Sequence, residues 1–300
     1  MEISIQTPLL HSLPLSQRSG CNVWLKMESA QPTGSFKLRS AAHACRYYAE
    51  QGAKGFISSS GGNAGIAVAH SCRKLGLPVT VVVPETTSLR ARELIEQEGA
   101  TLVVHGNVWS EANDYALSLA TDEIIYIHPF DNPLLWAGIS TLVDEVIAAG
   151  VIPDAVILSV GGGSLLSGIA QGLEKHHLSH IPIYAVETEG TASLNASVNA
   201  GKLVRLEKVS GIATTLAASQ VCENAFNVAS RLEVRSQVVS DAEAVRACRL
   251  LLDDHRVLTE PACGVSLSLL YDNKLRFAPS DNVLVIVCGG ASVTLESLLG

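Results

Sequence analysis

A chain of 300 residues exceeds the usual size of one compact domain, which favours an organisation in two lobes. Hydrophobic residues make up 47% of the sequence and charged residues 17%, so the chain can bury a large core, and intrinsic disorder is excluded. The formal net charge of -8, without any basic run, argues against binding to nucleic acid or to an anionic membrane surface.

The seven cysteines are scattered and show neither the spacing of a zinc site nor that of a redox motif. The first residues do not combine a basic segment with an apolar run, as a secretory signal would. No apolar stretch is long enough to span a bilayer. We therefore expect a reduced, cytoplasmic protein with free thiols.

The first fifty residues predict one strand followed by one long helix. Alternating apolar residues indicate the strand from Asn22 to Glu28. Helix-forming residues without Gly or Pro then run from Phe36 to Gln51. Ser35 is the expected N-cap, and Gly52 fits the C-terminal end.

Lys37 lies in the first turn of this predicted helix, where the helix dipole disfavours a positive charge. If burial adds to this effect, the ε-amine loses its proton easily, as a Schiff-base lysine requires. A lone lysine is usually a surface residue, but two glycine-rich loops, Ser58 to Gly65 and Gly161 to Ser164, favour another interpretation. Each loop joins an apolar run to a helical pattern and can bind an anion through its backbone amides. Together these features predict a phosphorylated carbonyl cofactor held at both ends.

From Gly55 onward, strands and helices alternate, which predicts parallel sheets. The β-branched runs are nearly uninterrupted, which indicates strands covered on both faces. The strands predicted for a first, small lobe are Gly55 to Ser59, Val79 to Val83, Thr101 to His105 and Ile124 to His128. The helices predicted between them are Ala64 to Leu75, Ser88 to Glu98 and Ser110 to Ala120.

A hinge at His128 to Pro133 and a helix from Leu134 to Ala149 predict the return to a larger lobe. Its predicted strands are Ala155 to Val160, Ile183 to Glu187 and Val283 to Val287. Its predicted helices are Leu165 to Lys175, Ala192 to Ala200, Asp241 to Asp254 and Cys263 to Tyr271. The N-terminal strand is expected in the same sheet. The predicted fold class is therefore α/β, with a mainly parallel twisted sheet flanked by helices in each lobe. Residues 1–37 and 132–300 form the large lobe, and residues 38–131 form the small lobe inserted in it.

Six short motifs follow one another along the chain. They are residues 32–37 (Pro-Thr-Gly-Ser-Phe-Lys), 60–65 (Ser-Gly-Gly-Asn-Ala-Gly), 161–163 (Gly-Gly-Gly), 187–188 (Glu-Thr), 260–264 (Glu-Pro-Ala-Cys-Gly) and 288–290 (Cys-Gly-Gly). Each motif alone is a weak signal. All six in order resemble the pyridoxal-phosphate enzymes of fold type II, the tryptophan-synthase-β type. The chain is most similar to the short L-serine/L-threonine dehydratases of the serine dehydratase-like branch.

This resemblance implies roles for individual residues. Lys37 would carry pyridoxal 5'-phosphate and would remove the substrate α-proton. The implied cofactor contacts are Lys37, Phe36, Asn63, Gly161, Gly162, Gly163, Ser164 and Cys288. The implied contacts to the substrate carboxylate are Ser60, Gly61, Gly62, Asn63 and Ala64. Cys288 would face the pyridine nitrogen, Glu260 would lie near the site, and Glu187 would lie beside a monovalent cation such as potassium. The resemblance also implies a homodimer.

The implied activity is the α,β-elimination of L-serine and/or L-threonine to pyruvate or 2-oxobutyrate with release of ammonia. Two alternatives share the fold. A β-replacement enzyme similar to cysteine synthase generally has Ser in place of Cys288, and a serine racemase has Ser in place of Gly61. A different class, a non-catalytic α/β nucleotide-binding or sensor protein, also stays open. The stretch from Gly161 to Gly168 matches the dinucleotide-binding fingerprint only poorly.

Overall fold

The computed structural model describes residues 2–299. Its strands are β1 (Leu9–His11), β2 (Asn22–Lys26), β3 (Gly55–Ser58), β4 (Val79–Val83), β5 (Thr101–Val104), β6 (Ile124–Ile127), β7 (Ala155–Ser159), β8 (Ile183–Thr188), β9 (Val234–Val239) and β10 (Asn282–Ile286). Its helices are α1 (Leu13–Ser19), α2 (Lys37–Glu50), α3 (Asn63–Leu75), α4 (Leu89–Gln97), α5 (Trp109–Ser118), α6 (Pro133–Ala148), α7 (Ser164–Lys175), α8 (Ser193–Ala200), α9 (Glu223–Arg231), α10 (Asp241–His255), α11 (Pro261–Tyr271) and α12 (Glu296–Leu299). Short 3-10 turns lie at Glu28–Ala30 and Thr214–Leu216.

Within these residues the strands form one sheet of six strands and one of four. The larger sheet has the order β1-β2-β10-β7-β8-β9, in which only β1 pairs antiparallel with its neighbour. The smaller sheet has the order β5-β4-β3-β6 and is parallel throughout. Because the four strands of the smaller sheet follow β2 and precede β7 in sequence, the small unit is inserted in the large one. The predicted α/β class is confirmed, whereas the boundaries after residues 37 and 131 stay predictions.

The expected N-terminal strand does belong to the larger sheet, since β2 pairs in parallel with β10. Several elements were not predicted, namely the strands β1 and β9 and the helices α1, α9 and α12. The strand β9 reads Val-Arg-Ser-Gln-Val-Val and is only partly buried at the edge of its sheet, so its sequence lacks an apolar run. The edge strand β5 is exposed at both ends, and the expected coverage of both faces is wrong for this strand.

Helix α2 begins at Lys37 without a side-chain cap, so the expected N-cap role of Ser35 is wrong. The backbone holds the helix start instead. The Phe36 amide donates to the Cys288 carbonyl at 3.1 Å, and the Gly290 amide donates to the Gly34 carbonyl at 2.9 Å. The loop before α2 is thereby attached to the loop that follows β10. The Leu38 amide, which a Ser35 cap would bind through its hydroxyl, donates instead to the backbone carbonyl of Ser35 at 3.2 Å.

Buried strands form the centre of the larger sheet. Every residue of β7 and β8 is buried, and both α7 and α11 pack against β7. Within residues 2–299, no helix has the length and hydropathy that spanning a bilayer would require.

A buried cluster of four charges, hereafter the four-charge cluster, joins β2, α2 and α6. It consists of Lys26, Glu28, Arg39 and Glu145. Arg39 binds Glu28 with two hydrogen bonds, Nε to Oε2 at 2.7 Å and Nη2 to Oε1 at 2.9 Å, and also donates to Glu145. Lys26 Nζ donates to Glu145 and to the carbonyl of Thr7. The charges of the two cations and the two carboxylates cancel. Buried ionic groups are tolerated only when they are paired in this way.

We expect the substitution Glu28→Gln to lower the free energy of unfolding by about 3 kcal/mol, because Arg39 then keeps a buried charge that is only partly compensated. Urea unfolding at pH 7 measures this change. The matched control is Glu93→Gln, which removes an exposed carboxylate 3.6 Å from Arg90 and should cost less than about 1 kcal/mol. Equal losses in the two variants would contradict a structural role for the four-charge cluster.

Candidate active site

The ε-amine of Lys37 lies between the two sheets. Its Nζ donates to the carbonyl of Pro129 at 2.7 Å and to Oγ of Ser164 at 3.1 Å. Pro129 follows the small-sheet strand β6, and Ser164 is the first residue of α7. Burial lowers the pKa of Lys37 from its ordinary value to about 8. The structure thus gives this lysine the easily lost proton that a nucleophilic amine requires.

The loop Gly161 to Ser164 joins β7 to α7, and its backbone leaves no room for side chains. A Cβ at Gly161 would lie 2.9 Å from Cα of Leu216, and a Cβ at Gly162 would lie 2.2 Å from the ring of Phe130. Gly163 has a φ of +94°, a conformation that favours glycine. The loop therefore presents backbone amides at the start of a helix, an arrangement that binds anions. We call this loop the glycine cradle.

The loop Ser60 to Ala64 joins β3 to α3 and is hereafter the substrate loop. Ser60 Oγ accepts a hydrogen bond from the amide of Gly62 at 3.3 Å. A Cβ at Gly65 would lie 1.9 Å from the carbonyl oxygen of Ser60, so the turn requires glycine there. Both glycine-rich loops lie at the carboxyl ends of parallel strands, where α/β sheets bind ligands.

Glu260 links the substrate loop to the large lobe. Its Oε1 accepts hydrogen bonds from Asn63 Nδ2 at 2.8 Å and from Thr215 Oγ1 at 2.6 Å. Burial raises the pKa of Glu260 to about 7. The Oδ1 atom of Asn63 accepts a hydrogen bond from the amide of Ala291 at 2.9 Å. Asn63, expected beside the cofactor, thus also bridges the two lobes.

Thr215 is a site residue that sequence reasoning missed. It lies in a stretch without hydrophobic periodicity, and only the folded chain brings it to Glu260. His128 was placed in a hinge, without a chemical role. Its Nδ1 accepts from the amide of Asp131 at 2.8 Å, and burial together with the nearby Lys37 lowers the pKa of His128 to about 4. This histidine is therefore neutral near pH 7.

Cys288 lies just after β10, in the loop that follows the strand, and is 6% exposed. A hydrogen bond with Cys263 and burial both raise the pKa of Cys288 well above its ordinary value. The group at this position is therefore a neutral thiol rather than a thiolate. The backbone carbonyl of Cys288 accepts a hydrogen bond from the amide of Phe36. The start of α2 is therefore held beside Cys288.

Glu187 is fully buried at the end of β8, and its carboxylate accepts from the amides of Leu194 and Asn195, each at 2.8 Å. Burial raises the pKa of Glu187 to about 7. The buried hydroxyl of Ser193, also at the start of α8, has no hydrogen-bond partner within residues 2–299. No group of three or more His, Cys, Asp or Glu residues in the described chain could hold a metal ion. A monovalent cation beside Glu187 stays a prediction.

These residues fit a phosphorylated aldehyde. The glycine cradle can take the phosphate, the Lys37 amine lies beside it, and the hydroxyls of Ser35 and Ser159 are buried without a partner in the part of the chain described. A fold of this kind with such a site defines an enzyme that binds pyridoxal phosphate through a lysine. The model of the family described as "Pyridoxal-phosphate dependent enzyme" matches residues 2–289, and the chain belongs to this family.

Individual relatives resemble the chain over nearly its whole length. A rat protein named "Serine dehydratase-like" is 46% identical, covering 97% of this chain and 92% of the relative. A human "L-serine dehydratase/L-threonine deaminase" is 41% identical, covering 99% of this chain and 94% of the relative. The solved structure of an L-serine ammonia-lyase from the fungus Rhizomucor miehei superposes with a TM-score of 0.94 at 36% identity, covering 99% of this chain and 98% of that chain. The fold type II class expected from the motifs is confirmed.

We expect the apo-protein to capture pyridoxal phosphate at a rate that rises with pH up to about 8 and then levels, because only the neutral Lys37 amine reacts. At pH 8 such an amine is half neutral, whereas an ordinary lysine is neutral to only about 0.4%. Absorbance stopped-flow across the pH range measures the rate, with a free lysine derivative as the reference compound. A rate that keeps rising as steeply as the reference up to pH 10 would show that Lys37 has an ordinary pKa.

Proposed function

We propose that this protein is a pyridoxal-phosphate-dependent ammonia-lyase that converts L-serine and/or L-threonine to pyruvate or 2-oxobutyrate and ammonia. The observation that carries the proposal is the Lys37 amine of lowered pKa, 3.1 Å from the Ser164 hydroxyl of the glycine cradle. The relatives named for serine dehydration and threonine deamination support the reaction type.

Residues on three sides would hold the cofactor. Lys37 would bind its aldehyde carbon, the glycine cradle its phosphate, and Cys288 its pyridine nitrogen, with Phe36 and Asn63 beside the ring. When bound, pyridoxal phosphate supplies an electron sink for the electrons left on the substrate α-carbon. The backbone amides of the substrate loop would receive the carboxylate of the amino acid.

Lys37 then acts as the base. With its ε-amine not bound to the cofactor, Lys37 would take the α-proton of the bound amino acid. The C–O bond at the β-carbon would break and the hydroxyl would leave as water with one proton, which balances the α-proton that Lys37 takes. The released product takes up one water and yields the 2-oxo acid and ammonia, so the net reaction consumes no other reagent. The neutral thiol of Cys288 cannot hold the pyridine nitrogen protonated, which favours prompt loss of the β-group over transamination.

The alternatives with the same fold fit less well. A β-replacement enzyme generally has Ser where Cys288 stands. A racemase has Ser where Gly61 stands, and glycine offers no side-chain proton for the opposite face of the substrate. A non-catalytic nucleotide-binding or sensor protein does not agree with membership in a family of pyridoxal-phosphate-dependent enzymes. We propose in addition that the protein acts in the cytoplasm as a homodimer and binds a monovalent cation beside Glu187.

We expect Lys37→Ala to abolish oxo-acid release from L-serine and L-threonine, since it removes both the anchor and the base. Borohydride reduction of the wild-type holoenzyme, followed by peptide mapping, should find the trapped cofactor on Lys37. The matched control is Lys54→Ala, which removes an exposed lysine and should leave turnover unchanged. An adduct on Lys26, Lys54 or another lysine would contradict the assignment.

The same assay separates the finer alternatives. Chiral analysis of the serine left after partial turnover should find little D-serine, and D-serine formed as fast as pyruvate would favour the racemase. Replacing potassium with tetramethylammonium should slow oxo-acid release, and equal rates would argue against a cation beside Glu187.

We expect Gly162→Asp to weaken the binding of pyridoxal phosphate at least about tenfold more than Gly162→Ala, because only aspartate adds a like charge beside the phosphate. Both variants add a Cβ that must displace the ring of Phe130, so alanine isolates the steric effect. Equilibrium dialysis at pH 7.5 measures the cofactor affinity of each. Equal affinities in the two variants would show that another loop binds the phosphate.

A further inference from the structure

Thr87 stands beside the substrate loop in a turn held by hydrogen bonds. The turn follows β4, and the Thr87 amide donates to the Pro84 carbonyl at 3.0 Å. The side chain of Arg92 fixes the same turn from outside, with Nε donating to the Thr87 carbonyl at 2.9 Å and Nη2 donating to the Glu85 carbonyl at 2.6 Å. Since β3 and β4 are neighbouring parallel strands, this turn and the substrate loop meet at the same edge of the sheet.

The side chain of Thr87 fills the volume that a residue-61 side chain would need. A Cβ built on Gly61 would lie 2.4 Å from Oγ1 of Thr87 and 2.7 Å from its Cγ2. Gly61 has a negative φ, so steric contact with Thr87, rather than backbone strain, requires glycine there. The β-branched side chain of Thr87 therefore fits beside residue 61 only because residue 61 is a glycine.

The hydroxyl of Thr87 is available for a ligand. Thr87 is only partly buried, and its Oγ1 makes no hydrogen bond to any residue between 2 and 299. Its neighbour on the substrate loop is Gly61. A hydroxyl donor at this position adds to the amide donors that the loop presents to an anion.

We propose that Thr87 is a substrate-binding residue that donates a hydrogen bond from its hydroxyl to the carboxylate of the amino-acid substrate, in the space that Gly61 leaves open. This inference rests on the proposed function, because it takes the substrate loop as the carboxylate site. It assigns to the turn after β4 a part in substrate recognition. It also makes residues 61 and 87 interdependent, since a side chain at 61 fits only when the side chain at 87 is smaller.

The hydroxyl is tested by Thr87→Val, which keeps the shape of the side chain and removes the donor. A hydrogen bond to a charged group implies that KM for L-serine rises about 10- to 100-fold, with a smaller change in kcat. Binding of L-alanine, an amino acid without a β-leaving group, should weaken by a similar factor in a spectral titration of the holoenzyme. Thr87→Ser should restore both values, and Thr86→Val, at the exposed neighbour, should change neither.

The size match is tested by a double-mutant cycle on stability. Gly61→Ser alone should lower the urea midpoint of unfolding, because the added atoms collide with Thr87. Thr87→Ala combined with Gly61→Ser should recover most of that loss. Additive effects of the two substitutions would show that residues 61 and 87 do not compete for space, and would overturn this part of the inference.

The outcomes separate this inference from the proposed function. If wild-type protein releases no oxo acid and L-alanine leaves the spectrum of the holoenzyme unchanged, the proposed function is wrong. If the wild type is active but Thr87→Val has the wild-type KM and the wild-type affinity for L-alanine, the proposed function stands and the role of the Thr87 hydroxyl is wrong.

Discussion

The candidate active site depends on the burial of one amine, the ε-amine of Lys37. Lys37 is the first residue of α2, and the backbone hydrogen bond from Phe36 to Cys288 attaches that helix start to the loop that follows β10. Two residues further on, Arg39 is fixed to Glu28 and Glu145 in the four-charge cluster. A lysine side chain is flexible, so its burial depends on the rigidity of the backbone that carries it. The same packing that stabilises the interior therefore also lowers the pKa of Lys37.

Desolvation, together with a hydrogen bond from Cys263 in the case of Cys288, also shifts the pKa values of other buried groups in the candidate site. His128 is kept neutral, Cys288 is kept as a thiol, and the carboxyl groups of Glu187 and Glu260 have pKa values near 7 instead of their ordinary lower values. Cys288 is neutral, so it places no full charge at the position where the ring nitrogen of the cofactor is expected. In such surroundings the course of a reaction depends on the placement of neutral donors and of backbone amides.

Glycine serves the site through close approach more than through unusual backbone angles. Gly61, Gly161 and Gly162 each face atoms that a Cβ would overlap, namely Thr87, Leu216 and Phe130. Each glycine thus lets a second segment of the chain lie directly against one of the two glycine-rich loops. The hydrogen bonds from Asn63 and Thr215 to Glu260 then join the substrate loop to the large lobe.

The sequence by itself determined the α/β class, most helices and central strands, the position of Lys37 at the start of a helix, and both glycine-rich loops. These depend on local signals, because hydrophobic periodicity, glycine and proline act within a few residues. Only the tertiary structure decided that Ser35 does not cap α2, that the partly buried β9 joins the sheet, and that Thr215 reaches Glu260. The close packing of Thr87 against Gly61 was likewise decided only by the tertiary structure. Such contacts join segments far apart in sequence, and they form only when parallel strands bring their carboxyl ends to one edge of a sheet.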